Sequence, residues 1–153
     1  MKILVFSDSH GAYGKMSEVF NNTPCEAVIF LGDGLNDADR LYERSGSVPV
    51  YRVCGNCDFL ALSTPDMRIL EFEGKRVLIT HGNRQNVKNS TAQLCRLALD
   101  NGAHIALFGH THSQFFENTG SLILANPGSI AGGKYGILTI GEKIAFKFGD
   151  IYD

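Results

Sequence analysis

No long apolar run interrupts this sequence, and neither sign of charge predominates in it. The opening segment, Met1-Lys2-Ile3-Leu4-Val5-Phe6, turns polar at Ser7-Asp8, which is too short for a signal peptide or a membrane span. That predicts a cytoplasmic protein with no membrane partner, in which Cys25, Cys54, Cys57 and Cys95 stay reduced. Fourteen Lys and Arg stand against sixteen Asp and Glu, a net charge of −2. A general nucleic-acid binder would be basic, so the composition carries no such signature, while a small phosphorylated substrate fits it. Repeats, low-complexity tracts and linker-like stretches are also missing, so residues 1–153 are expected to form a single domain. A chain of this size buries roughly 68–70% of its unfolded surface and needs no disulfide framework.

What is present is an alternation of short aliphatic runs with amphipathic stretches. Ile3–Ser7, Ala27–Leu31, Val48–Val53 and Ile105–Phe108 read as strands; Tyr13–Asn21, Asp37–Arg44 and Asn89–Asn101 read as helices. Thr23-Pro24 would end the first helix, Asn36 or Asp37 could cap the second, and Gly102 would close the third. The Asp37/Asp39 pair reads as helix-cap chemistry. Arg68–Phe72 and Arg76–Thr80 form a predicted hairpin around Glu73-Gly74, and the tail adds strands over Gln114–Glu117, Leu122–Ala125, Gly136–Ile140 and Ile144–Phe148. The pattern predicts an α/β fold: two mixed sheets packed face to face, with helices outside.

The chemistry-bearing residues follow the predicted strands. The strand ends read Asp8-Ser9-His10, Gly32-Asp33-Gly34, Gly55-Asn56-Cys57-Asp58, Thr80-His81-Gly82 and Gly109-His110-Thr111-His112. Ligands bind at the carboxyl ends of parallel strands, so five parallel ends would converge on one crevice. Residues two apart in extended chain point the same way, so Asp8/His10 and His110/His112 could each face one ion. Four of the five histidines belong to this set, and only His104 lies outside it. Asp8, His10, Asp33, Asn56, His81, His110 and His112 offer only nitrogen and oxygen donors, which suits Mn, Fe, Zn, Co or Ni and argues against a thiolate zinc site. Seven ligands are too many for one catalytic ion with open positions and suit two ions. Cys54-x-x-Cys57 has redox or zinc spacing, but no second pair exists. Cys54 reads instead as a small buried apolar residue, and Cys57 as an oxidation-sensitive one.

These blocks resemble the calcineurin-like metallophosphoesterase superfamily, whose pattern is Asp-x-His, Gly-Asp, Gly-Asn-His-Asp/Glu, a lone His-Gly and Gly-His-x-His. Asn126-Pro127-Gly128-Ser129 and the chain length resemble its small bacterial and archaeal phosphodiesterase branch. The resemblance spans residues 3–148. It implies an αββα sandwich, with Asp33 as a carboxylate bridging two divalent ions, manganese foremost. Asp8, His10 and His112 would complete one ion's site; Asn56, His81 and His110 would complete the other. Relatives of this kind often form dimers or tetramers, so a homo-oligomer is open.

Two departures bear on mechanism. Cys57 stands where the superfamily usually has His, and Asn83 where relatives commonly have another. The implied reaction is hydrolysis of a phosphate ester by a hydroxide bridging two ions, with no protein nucleophile. No general acid stands out; Cys57 and Asp58 remain as candidates, and Asp58 would need a raised pKa to donate. Asn56, Asn83 and Arg84 are candidate substrate-binding residues, Arg84 foremost, with Lys88 further along the same polar loop. Two aspartates and a hydroxide against two divalent ions leave one positive charge, which a phosphodiester monoanion neutralises. The competing functions are a phosphomonoesterase or nucleotide phosphatase on the same site, and a non-catalytic scaffold such as the retromer subunit of this fold.

Overall fold

The computed structural model describes residues 1–61 and 63–153. In chain order the elements are β1 (Lys2–Phe6), α1 (Tyr13–Asn22), β2 (Ala27–Phe30), α2 (Leu35–Arg44), β3 (Val50–Arg52), β4 (Met67–Phe72) and β5 (Lys75–Thr80). After them come α3 (Ala92–Asp100), β6 (Ile105–Leu107), β7 (Gln114–Asn118), β8 (Ile123–Pro127), β9 (Lys134–Ile140) and β10 (Ile144–Asp150). One sheet has the order β10-β9-β1-β2-β3 and the other β4-β5-β6-β8-β7. β1, β2 and β3 run parallel, as do β5, β6 and β8. β9 and β10 in the first sheet, and β4 and β7 in the second, are the antiparallel additions.

The layers follow from the period-two alternation of the strands. Ile3 and Val5, Ala27 and Ile29, Val77 and Ile79, and Ile105 and Leu107 point inward and form the core between the sheets. Their neighbours Leu4, Phe6, Val28 and Phe30 point outward under α1 and α2, which contribute Met16, Val19, Leu35, Ala38 and Leu41. Leu78, Ala106, Phe108 and Leu124 do the same under Leu94 and Ala98 of α3. Strands buried on both faces read as unbroken apolar runs, which is why the central ones were visible in the sequence. The result is the expected αββα sandwich of two mixed sheets. Each fully buried Ile, Leu or Phe contributes about 1.5–3 kcal/mol.

Two helix starts differ from expectation. α2 begins at Leu35 rather than Asp37, because the carboxylate of Asp58 accepts the N–H groups of Gly34 and Leu35 at 2.9 and 3.0 Å. A side chain distant in sequence thus caps the helix, and neither Asn36 nor Asp37 does so. α3 begins at Ala92 rather than Asn89: Asn86 is left-handed at φ 56°, and the Ser90 hydroxyl accepts the Ala92 N–H at 3.1 Å.

Candidate metal centre

The parallel strands of both sheets finish along one edge of the sandwich. The first sheet delivers Asp8 and His10 after β1, Asp33 after β2 and Asn56 after β3; the second delivers His81 after β5 and His110 and His112 after β6. Six of these side chains form two candidate metal-binding groups, Asp8/His10/His112 and Asp33/His81/His110. In each group the ligand atoms lie within 4.8 Å of one another. The second group is deeper: Asp33 and His81 are buried, whereas His10 and His112 are exposed.

The ligand loops are not extended. Asp8, His10, Asp33, His110 and His112 all have left-handed backbone, with φ between 44° and 70°. These are five of the seven non-glycine residues with positive φ among the described residues. Asp, Asn and His tolerate this region better than other side chains, yet each such residue costs roughly 1–3 kcal/mol. The tight turns divide one pair: Asp8 and His10 stay together, but His110 joins Asp33 and His81 while His112 joins Asp8. Two glycines make the cradle possible. A Cβ on Gly55 would strike the Asp33 carboxylate, and one on Gly109 would strike the Ser7 hydroxyl and Asp8 Oδ2.

Each aspartate has one oxygen tied down. Asp8 Oδ2 accepts the Ser7 hydroxyl at 2.5 Å and the His110 N–H at 3.0 Å. Asp33 Oδ1 accepts the Cys57 N–H at 2.8 Å. The other oxygens face imidazoles. Asp8 Oδ1 lies 3.6, 3.8 and 3.2 Å from Nε2 of His10, His81 and His112. Asp33 Oδ2 lies 3.2 Å from His81 Nε2 and 3.9 Å from His10 Nε2. Asp8 Oδ1 is nonetheless buried without a hydrogen-bond partner. An unsatisfied buried acceptor costs about 1–3 kcal/mol and more when charged, and a cation among these nitrogens removes that cost. The donor set therefore fits divalent ions.

The histidines are prepared for the same task. His81 Nδ1–H donates to the Leu31 carbonyl at 2.8 Å, which turns Nε2 toward the carboxylates. Burial lowers the His81 pKa, but the bond to Asp33 and the charges of Asp8 and Asp33 outweigh it, so it ends raised. Burial likewise raises Asp33, but the bonds from His81 and Cys57 prevail and hold it at about 2. Burial and the nearby His81 and Lys88 charges lower the His110 pKa, leaving a neutral ring whose Nδ1 is 3.3 Å from His81 Nε2.

Residues 1–142 match the model of the calcineurin-like phosphoesterase superfamily domain. The chain belongs to that superfamily. It is 29% identical over 103 residues to a probable metallophosphoesterase, YsnB, of Bacillus subtilis, a match covering 67% of this chain and 59% of that protein's length. A conserved protein from Streptococcus pneumoniae, itself a predicted phosphoesterase, shares the fold with a TM-score of 0.83 at 28% identity, over 97% of this chain and 88% of the other. Yfce, a phosphoesterase from E. coli, matches with a TM-score of 0.64 at 26% identity, over 91% and 88% of the two chains.

In this member of the superfamily, side chains outside the two groups hold the ligand loops. The Asp58 carboxylate accepts four backbone N–H groups: those of Asp33, Gly34, Leu35 and Gly55. Asp58 is therefore a brace for the Asp33 loop, with its oxygens engaged, rather than a proton donor. Asp37 accepts the Ser9 hydroxyl at 2.6 Å and the Gly11 N–H at 2.9 Å, holding the loop that carries His10, while Asp39 pairs with Arg52 at 2.7 Å. Desolvation and the charges of Asp33 and Asp58 raise the pKa of the exposed Cys57 thiol. The bond from Cys57 to Asp33 is made by the backbone N–H. Cys54 is half-buried rather than buried. His104 Nδ1 accepts the Arg76 N–H at 2.9 Å, away from the centre.

The Asn126-Pro127-Gly128-Ser129 segment, already singled out in the sequence for its resemblance, makes the end of β8 a sixth contributing strand end. Asn126 is fully buried. Its Nδ2 donates to the Gly109 carbonyl and the Thr111 hydroxyl, both at 3.0 Å, so it grips both sides of His110. Three residues on, the Ser129 hydroxyl donates to the Asp8 carbonyl at 2.7 Å. This turn ties the ligand loop of one sheet to that of the other.

Of the candidate substrate residues, Asn56 is exposed and donates to Cys57 Sγ at 3.6 Å. Asn83 and Arg84 begin a single 3₁₀ turn after His81-Gly82, where Arg84 Nε meets Asp66 Oδ2 at 2.7 Å. Phe59, which the sequence did not single out, stands exposed beside them.

Two outcomes are expected. Asn126→Leu should fold but bind divalent metal about 10–100-fold more weakly, as loss of supporting bonds usually does; unchanged affinity in equilibrium dialysis would remove the clamp from the account. Because the metal-free His81 holds its proton to higher pH than a free histidine, and an ion must displace it, metal binding should release protons. Affinity should therefore rise with pH between about 6 and 8. Calorimetry in buffers of different ionisation enthalpy reads the protons, and a pH-independent affinity without proton release would contradict this.

Proposed function

We propose that this member of the superfamily is a divalent-metal-dependent phosphodiesterase with a dinuclear, manganese-favouring centre. The carrying observation is the buried, unpartnered Asp8 Oδ1 set among three imidazole nitrogens, beside a second three-residue group. Asp8, His10 and His112 would hold one ion. Asp33, His81 and His110 would hold the other, with Asn56 joining them and Asp33 shared. Nickel, cobalt, iron and zinc suit the same donors.

When bound, two divalent ions supply Lewis acidity and a water acidic enough to attack phosphorus at neutral pH. The chain's own part is orientation. Ser7 and the His110 N–H fix which oxygen Asp8 presents, the Cys57 N–H does so for Asp33, and the Leu31 carbonyl fixes the His81 tautomer. Two carboxylates against two divalent ions leave a positive site, which favours a phosphodiester monoanion. Asp58 is occupied by backbone donors, so of the two candidates only the Cys57 thiol, a weak acid, is left to assist a departing alkoxide. The enzyme should therefore prefer substrates with good leaving groups. The four free cysteines agree with a reducing, cytoplasmic setting, where the partner is a small phosphoester.

The test is chelation, restoration with Mn²⁺, and parallel assay of bis-p-nitrophenyl phosphate and p-nitrophenyl phosphate. Diester hydrolysis should return with the metal and fall by at least about a thousandfold in His110→Ala, as expected when a group acts with its partners as a unit. Faster monoester hydrolysis would make the protein a phosphatase on the same centre. Inactivity with every divalent metal would transfer the proposal to a scaffold role.

A further inference from the structure

We infer that the two cavities flanking Phe59 form a subsite for an aromatic ester arm of the substrate; this rests on the phosphodiesterase reading. Phe59 and Leu60 follow the Gly55-Asn56-Cys57-Asp58 turn and are 85% and 91% exposed. A lone exposed apolar residue is ordinary. Here, however, the Phe59 ring is a shared wall of two cavities, of about 270 and about 380 Å³. The smaller is lined also by Asn56, Ala61, Asn83 and Arg84, the larger by Leu35, Cys57 and Leu60. Asn56 lines the smaller and Cys57 the larger, so both abut the turn whose Cys57 N–H bonds Asp33, and an ester arm that left the metal groups along this turn would meet Phe59.

The lining states what that arm is. Three acids border the cavities, and each is already compensated. Asp58 accepts four backbone N–H groups, Asp66 pairs with Arg84, and Asp39 pairs with Arg52. No uncompensated carboxylate of these three invites a cationic arm. The bond to Asp66 uses one of the five guanidinium N–H donors of Arg84 and leaves four, and Asn83 and Asn56 add amide groups. A flat apolar face beside amide and guanidinium donors is the chemistry that holds an aromatic ring bearing acceptors, whether an aryl group or a nucleobase. Volumes of about 270 and about 380 Å³, one just below and one near the bottom of the usual pocket range of about 300–1,000 Å³, suit one such arm and not a polymer.

Binding to the Mn²⁺-loaded protein, read by calorimetry, tests this with three probes: inorganic phosphate, phenyl phosphate and thymidine 5′-monophosphate. The aromatic esters should bind about tenfold or more tighter than phosphate, in keeping with ring stacking. Phe59→Ala should erase that advantage and leave phosphate affinity unchanged, while Phe59→Tyr should retain it. An advantage shared by both esters assigns the subsite to the aryl face; one confined to the nucleotide assigns it to a nucleobase read by Asn83 and Arg84. Phosphate binding with no aromatic advantage, or an advantage that survives Phe59→Ala, overturns the subsite alone. Failure of the loaded wild-type protein to bind phosphate would sink the phosphodiesterase reading and the subsite with it.

Discussion

Negative charge held under tension at the mouth of the sandwich is the constraint from which the other features follow. Asp8 and Asp33 are buried, stand on left-handed backbone and each turn one oxygen toward a cluster of imidazoles. With His10, His110 and His112, five residues of the centre have positive φ. At roughly 1–3 kcal/mol apiece their combined strain approaches the net stability of a typical domain, about 5–15 kcal/mol. Such a site persists only where its surroundings over-determine it. A cation contributes by satisfying Asp8 Oδ1, and the scaffold contributes by denying the loops any other path.

The scaffold does this through side chains that bond backbone rather than ligand. Asp58 gathers four N–H groups around Asp33, Asp37 secures the turn at His10, and Asn126 and Ser129 join the His110 and Asp8 loops. The last pair has a topological reason. The ligands come from two separate sheets, whose shared core of Ile, Val and Leu sets a spacing but no register. Apolar contacts are non-directional, so the alignment of one ligand set against the other depends on directional bonds at the rim. The β8 turn lies where these bonds can be made.

Much of this was legible beforehand, for identifiable reasons. Doubly buried strands announce themselves as apolar runs, and Asp, Asn or His after five of them marked the convergence that the topology then supplied. The sandwich was as expected, and six of the seven nominated side chains fall into two groups. The braces were not legible. Asp58 follows Asn56 and Cys57 like one more polar residue of the block, and nothing local shows that its carboxylate caps a helix more than twenty residues earlier in the chain. Asp37 has the position of an N-terminal helix acid but bonds across to another loop. Strand alternation alone would have put His110 and His112 on one ion, because residues two apart share a face only in extended chain and here both are left-handed; their division between two groups is the one the resemblance implied. Phe59 carries no motif; its interest comes from the cavities on either side of it.

Membership of the superfamily is shown by the family match, while the use of both ligand groups at once is the claim on which the proposed chemistry stands. Metal content per chain tests it most directly. The stripped protein would be dialysed against excess Mn²⁺, desalted, and its bound metal measured by mass spectrometry against protein concentration, beside Asp8→Asn and Asp33→Asn variants. The account predicts two ions per chain in the wild type and a loss in each variant. A wild-type chain that takes up one ion or none under saturating metal would contradict it.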